Sequence, residues 1–259
     1  TRHTVLFVLV VVLGGFLGAT LDPAFGLNLR TVSLAAGVGL ALTLCAAIYG
    51  VAEWLYRRSR GEDAHWQVRA LPSGLLVTAV GVLVSRLTNF EPGYLYGLIL
   101  IASFSGELST VEEGRGEAAG AAALIVFSIG AWLVWTPVHA AAQEAGAAGG
   151  LVFLQDMLTA IFVIGIVRAV VCLLPLRFLP GQKVARWSRS AWSLLFGLGV
   201  FAFTVILLRR ESAVTLESLA PIVLSLSLFV GFGLASVLFW AYFRYCKPNL
   251  MATTDSIIS

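Results

Sequence analysis

Four ionisable residues, Arg86, Glu91, Asp156 and Arg168, stand within or at the edges of long apolar runs. Charge in hydrocarbon is expensive and seldom kept without a use, so these four are the candidates for an ion or solute path. Arg86 and Glu91 meet across a Glu91-Pro92-Gly93 turn, where they can clasp each other or line a path that opens at that side. Asp156 and Arg168 fall on one apolar run, where a helix would hold them ~18 Å apart, too far for a direct pair. Each can reach toward its nearer membrane surface. A shared path would require further charges facing them from other helices.

Catalytic chemistry needs constellations that this chain does not supply. His139 and Glu144 lie close in TPVHAAAQEAG, but a zinc protease sets two histidines one turn apart with a glutamate base between them. SFSG (103–106) lacks the leading glycine of the rhomboid serine motif and has no histidine in a suitable span. An intramembrane aspartyl site wants two buried aspartates, and only Asp156 qualifies. EEGRGE (112–117) has the paired glutamates of another intramembrane protease family without its arginine offset or its histidines. Cys45, Cys172 and Cys246 lie in or beside apolar runs, with no metal-ligand spacing. The expectation is a non-enzymatic protein with no catalytic residue, metal site or cofactor.

The polar connections carry more information. In GQKVARWSRSAW, Lys183, Arg186 and Arg189 recur every third residue, while Val184, Trp187 and Ala191 form a second strip. That pattern predicts a short interfacial helix, with cations toward lipid phosphates and Trp187 in the acyl boundary, or a docking patch for a partner. GELSTVEEGRGE sets Glu107, Glu112, Glu113 and Glu117 against Arg115 alone. Acidic residues contribute little to membrane topology. This cluster therefore reads as a solvated loop with Glu117 at the next helix start, or as a surface for a basic partner.

The elements that must position these residues follow from composition. Of 259 residues, 59% are hydrophobic and only 12% charged, and mean hydropathy is +0.91. That is too little charge to cover a soluble domain. The runs are apolar all round rather than alternating, so the chain reads as an all-α, polytopic transmembrane bundle and not a barrel. Spans are predicted at 4–21, 31–54, 71–89, 92–106, 118–142, 151–174, 190–208 and 219–243. Residues 1–243 then form one membrane domain and 244–259 a short cytoplasmic tail. The start TRH followed by an apolar run also resembles a signal peptide; a retained first helix, with a cytoplasmic region preceding it, is the expectation.

Parity orients the bundle. Residues 57–69 hold four arginines, and residues 175–189 hold three arginines and a lysine. Both belong in the cytoplasm, where an anionic inner leaflet faces them. An even number of crossings must separate them, so 92–106 is expected to span even though fifteen helical residues cover only ~22 Å. About eight spans result, with both termini cytoplasmic and the cell membrane as location. Gly14 and Gly18, Gly93 and Gly97, and Gly116 and Gly120 stand at close-packing intervals that serve either packing within the chain or a homo-oligomer face. The net charge of +3 gives no reason to expect nucleic acid as a partner.

SRLTNFEPGYLYGLI (85–99) and LPLRFLPGQKVARWSRSAWSLLFGLGVFAF (174–203) resemble a group of multi-pass membrane proteins of high-GC actinobacteria, over about 22–208. In that group the membrane region is often the carboxy-terminal part of a longer protein. More faintly, the chain also resembles the membrane protein that couples cytoplasmic contractile injection systems to the membrane in filamentous actinobacteria. With no catalytic constellation and inner loops charged with both signs, the expectation is an anchor or docking protein for a cytosolic assembly, with a contractile injection system as the lead the fainter resemblance supplies. The alternative is a small-solute or ion transporter built on the intramembrane charges.

Overall fold

A computed structural model of the chain describes residues 2–22, 25–61, 66–70, 72–88, 100–104, 109–144, 148–176 and 179–208. Residues Thr1–Leu207 make one unit. The helices are α1 (Arg2–Ala19), α2 (Leu29–Ser59), α3 (Pro72–Thr88), α4 (Thr110–Ala142), α5 (Gly149–Cys172), α6 (Pro180–Trp187) and α7 (Arg189–Ala202), the last continued by a π-helical turn, Phe203–Leu208. Strands β1 (Trp66–Ala70) and β2 (Leu100–Phe104) pair antiparallel, with Val68 opposite Ala102.

Local chemistry sets the helix ends. The Asn28 side chain accepts from the Thr31 backbone N–H at 2.7 Å and starts α2. Ser109 accepts from the Glu112 N–H at 3.3 Å, and Glu112 and Glu113 put negative charge in the first turn of α4. Pro180 opens α6, where its missing N–H is not needed. Ser188 caps α7. Gly61, at φ +80°, ends α2 in the left-handed region that glycine enters without a steric penalty.

Among the described residues, four helices are long and apolar enough to cross a membrane: Leu29–Ser59, Val111–Ala142, Gly149–Cys172 and Arg189–Leu207. Shorter apolar helices cover Thr4–Ala19 and Gly74–Leu83. The chain is a helical membrane protein. The core lies where α2, α4 and α5 meet, with Cys45, Leu124, Ile125, Phe162 and Ile166 at most 1% exposed. Between membrane helices, association rests on close van der Waals contact more than on expelling water, so small residues mark the seams. A Cβ on Gly120 would lie 2.8 Å from the Tyr49 ring, and one on Gly116 would lie 3.2 Å from Cγ of Glu53. This pair of glycines therefore packs α4 on α2 within the chain. Gly15 plays the same part for α1, where a Cβ would strike the Ala35 carbonyl. Gly93 and Gly97 lie outside the described residues.

The run 92–106 departs from expectation. Its described part, Leu100–Phe104, is a strand and not a helical span. The ladder places Ala70 beside Leu100, so the chain that leaves at β1 has returned to the same place by β2. Leu100 is fully buried, and Gln67 and Arg69 are exposed while Val68 and Ala70 are half-buried, the two-residue alternation of a strand with one covered face. Between the basic segments, α4 and α5 are the described helices long and apolar enough to cross a membrane. The run 219–243 and the tail 244–259 lie outside the described residues.

Candidate functional site

The last turns of α2, the first turns of α4, the end of α5 and the whole of α6 converge at one end of the bundle. Helices of 31 and 33 residues are about 46 and 50 Å long. A hydrocarbon layer of about 30 Å leaves their charged turns room to project past it.

Glu53 and Arg57, one turn apart on α2, form a buried ion pair at 2.7 Å, with only 4% and 7% of their side chains exposed. The Arg57 guanidinium also lies over the Phe104 ring of β2, 4.3 Å from its centroid, which ties the ladder to this end. One turn back on α2, the Tyr49 hydroxyl donates to a Glu117 carboxylate oxygen at 2.6 Å. Lys183 of α6 reaches Glu117 at 3.5 Å and Glu113 at 3.4 Å. Glu112 accepts from the Tyr56 hydroxyl and faces Arg115 at 3.1 Å and Arg60 at 3.7 Å. Partial burial pulls the Lys183 ammonium down, but the carboxylates of Glu117 and Glu113 more than reverse this, and its pKa ends above the ordinary 10.5.

Shape reinforces charge. A Cβ on Gly114 would stand 2.6 Å from Trp187 Cβ and 2.7 Å from the Lys183 carbonyl oxygen, so α6 lies directly on the α4 backbone. Gly181 sits as closely against the Leu173 carbonyl. Val184 is fully buried. Arg115 stacks over the Trp187 ring at 5.7 Å, and the Trp192 indole N–H donates to the Leu173 carbonyl at 2.8 Å, fastening α7 to the end of α5.

Several expected roles change accordingly. The short helix at 180–187 forms, but Lys183 and Trp187 turn toward α4 instead of lipid. Arg186 and Arg189 are exposed. Glu112 and Glu113 sit in the first helical turn rather than in a loop, and Glu117 lies two turns inside the helix, since α4 begins at Thr110. These acids are occupied by cations of the same chain.

Arg168 does not reach out to a surface. It is 9% exposed and lies over the Tyr49 ring at 5.9 Å, with Nε buried and without a hydrogen-bond partner among the described residues. Asp156 is at the other end of α5, within electrostatic range of Arg30 and Asp22, which pair with each other at 3.2 Å. Arg86 falls in the last turn of α3, its side chain outside the described residues, as is Glu91. His139 stacks on Trp135 at 4.4 Å. Among the described residues no cluster of His, Cys, Asp and Glu could hold a metal ion.

Sequence reasoning missed Glu53, Tyr49 and Arg57 as site residues. A glutamate and an arginine one turn apart at the end of an apolar helix were the available signal, but Arg57 reads equally well as a topogenic charge. Comparison with protein-family models, with curated proteins and with solved structures finds no match for this chain.

Proposed function

We propose that this protein is a non-catalytic, multi-pass anchor of the cell membrane that holds a cytosolic assembly at its charged end. In this reading the end bearing α6 faces the cytoplasm, about eight segments cross, and both termini are cytoplasmic. The single observation that carries it is the bracing of α2, α4 and α6 into one charged platform by Tyr49–Glu117 and Lys183–Glu113/Glu117, beside the buried Glu53–Arg57 pair of α2. Exposed Arg58, beside this network, and exposed Arg69 on the outer face of the ladder offer cations to a partner. The fainter resemblance to the membrane-coupling protein of contractile injection systems suggests such a system as that assembly.

The transporter reading needs ionisable groups sharing a path. Asp156 and Arg168 stand at opposite ends of α5, and the layer between them is filled by Leu158, Ile161, Phe162, Ile164 and Ile166, all buried. The test pairs both readings. A photo-crosslinking residue in place of Arg58 or Arg69 should capture a discrete cytosolic protein in native membranes, while one in place of Leu133 should not. Liposomes carrying the protein should show no flux sensitive to Asp156→Asn or Arg168→Gln. Failure to capture at both platform positions, together with a flux abolished by those substitutions, would replace the anchor with a transporter.

A further inference from the structure

The charges at the braced end separate into two sets. Every described carboxylate there is occupied: Glu53 by Arg57, Glu112 by Arg60 and Arg115, and Glu113 and Glu117 by Lys183. Four exposed arginines, Arg58, Arg69, Arg186 and Arg189, have no acidic partner among the described residues, and of these Arg186 and Arg189 belong to α6 and α7. Arg58 stacks beside Trp54 at 5.2 Å on α2. Arg186 and Arg189 flank Ser188 at the elbow between α6 and α7, and the α4 start, which packs on both α2 and α6, stands between the two groups.

The elbow is held rigidly from below. Lys183 is paired to α4, Gly114 and Gly181 admit backbone contact, Val184 is buried, and the Trp192 indole is bonded to the α5 end. Its depth is fixed as well: α5 ends at Cys172 and the spanning part of α7 starts at Arg189. In the membrane reading above, an eight-residue helix joining two spans falls in the layer of lipid headgroups. We infer that the α6–α7 elbow is a binding site for an anionic phospholipid headgroup, whose phosphate is held by Arg186 and Arg189.

Three physical arguments converge on that occupant. Unpaired guanidiniums seek phosphate with bidentate geometry. The inner leaflet supplies anionic lipid at this depth. A braced elbow has already lost much of the freedom that binding would otherwise take away. The inference rests on the membrane reading above, and the Arg58 position separates the two: protein capture there depends on a partner, lipid retention at the elbow does not.

The full chain is reconstituted in nanodiscs of phosphatidylcholine and phosphatidylglycerol, and retained lipid is counted by native mass spectrometry. Wild type should retain phosphatidylglycerol in preference to phosphatidylcholine. Arg186→Gln and Arg189→Gln should each lower that retention several-fold and together about tenfold, with helical content and membrane integration unchanged, while Arg58→Gln stays within twofold of wild type. Equal retention of the two lipids by wild type overturns the inference. So does an Arg58→Gln loss as large as that of the elbow variants, which would indicate diffuse charge rather than a site. An unchanged double variant would point instead to a protein segment covering the elbow, and would also overturn it.

Discussion

Glu53 and Arg57 are charged side chains removed from water, and their pairing is what makes them tolerable. Breaking one partner leaves the other buried alone, which typically costs about 3–5 kcal/mol, whereas replacing both by apolar groups is often close to neutral. Arg57→Leu should therefore lower stability in detergent strongly, and Glu53→Leu/Arg57→Leu should recover most of the loss, as read by thermal unfolding. Simple additivity of the two single changes would show that the pair is not coupled. Lys183 gives a pH prediction with a defined sign. Its pKa is raised in the folded chain, so the bracing it contributes is complete below the ordinary value of 10.5 and is lost as pH rises through the higher folded value. Protection of the 180–187 amides, taken as exchange relative to the intrinsic base-catalysed rate at each pH, should hold through neutral pH and fall only in that alkaline range. Loss of protection near neutrality would contradict the assignment. At this scale the sequence marked Lys183, Glu113 and Glu117 as notable but not as partners across α6 and α4. They lie about seventy positions apart in the chain, and only the helix packing brings them together.

Among the elements, the β1–β2 ladder and the α6 strap make opposite demands on sequence reading. Strap 180–187 announces itself through its opening proline and its spacing of cations. Strand 100–104 does not, because LIASF is a short apolar run whose periodicity fits a buried helix as well as a strand, and its pairing partner lies some thirty positions upstream. The ladder is testable through its register. Antiparallel partners have Cα atoms about 4.5–5.5 Å apart, within disulfide range. Val68→Cys/Ala102→Cys should thus cross-link under mild oxidation, and the displaced pair Val68→Cys/Leu100→Cys should do so far less. Cross-linking only in the displaced pair would refute the register. For the strap, Gly114→Val drives a side chain into Trp187 and the Lys183 carbonyl. Protease cleavage within 180–187 should rise several-fold while membrane integration is retained; unchanged cleavage would contradict direct seating of α6 on α4.

For the whole molecule, charge and length act together. Basic segments 57–69 and 175–189 are expected on a common face because positive side chains resist translocation. The structure brings the ends of the helices that carry them, α2 and α5, together with the acidic start of α4, through ion pairs that composition alone could not reveal. One correction comes from the ladder: 92–106 is not a helical span over its described part. Single-cysteine labelling with a membrane-impermeant maleimide tests the resulting orientation most directly, using Arg58→Cys, Arg186→Cys and, in the exposed α4–α5 turn, Gln143→Cys. In intact cells Gln143→Cys should label, while Arg58→Cys and Arg186→Cys should label only after permeabilisation. Labelling of position 58 or 186 from outside, or of one but not the other after permeabilisation, would contradict a single braced cytoplasmic end.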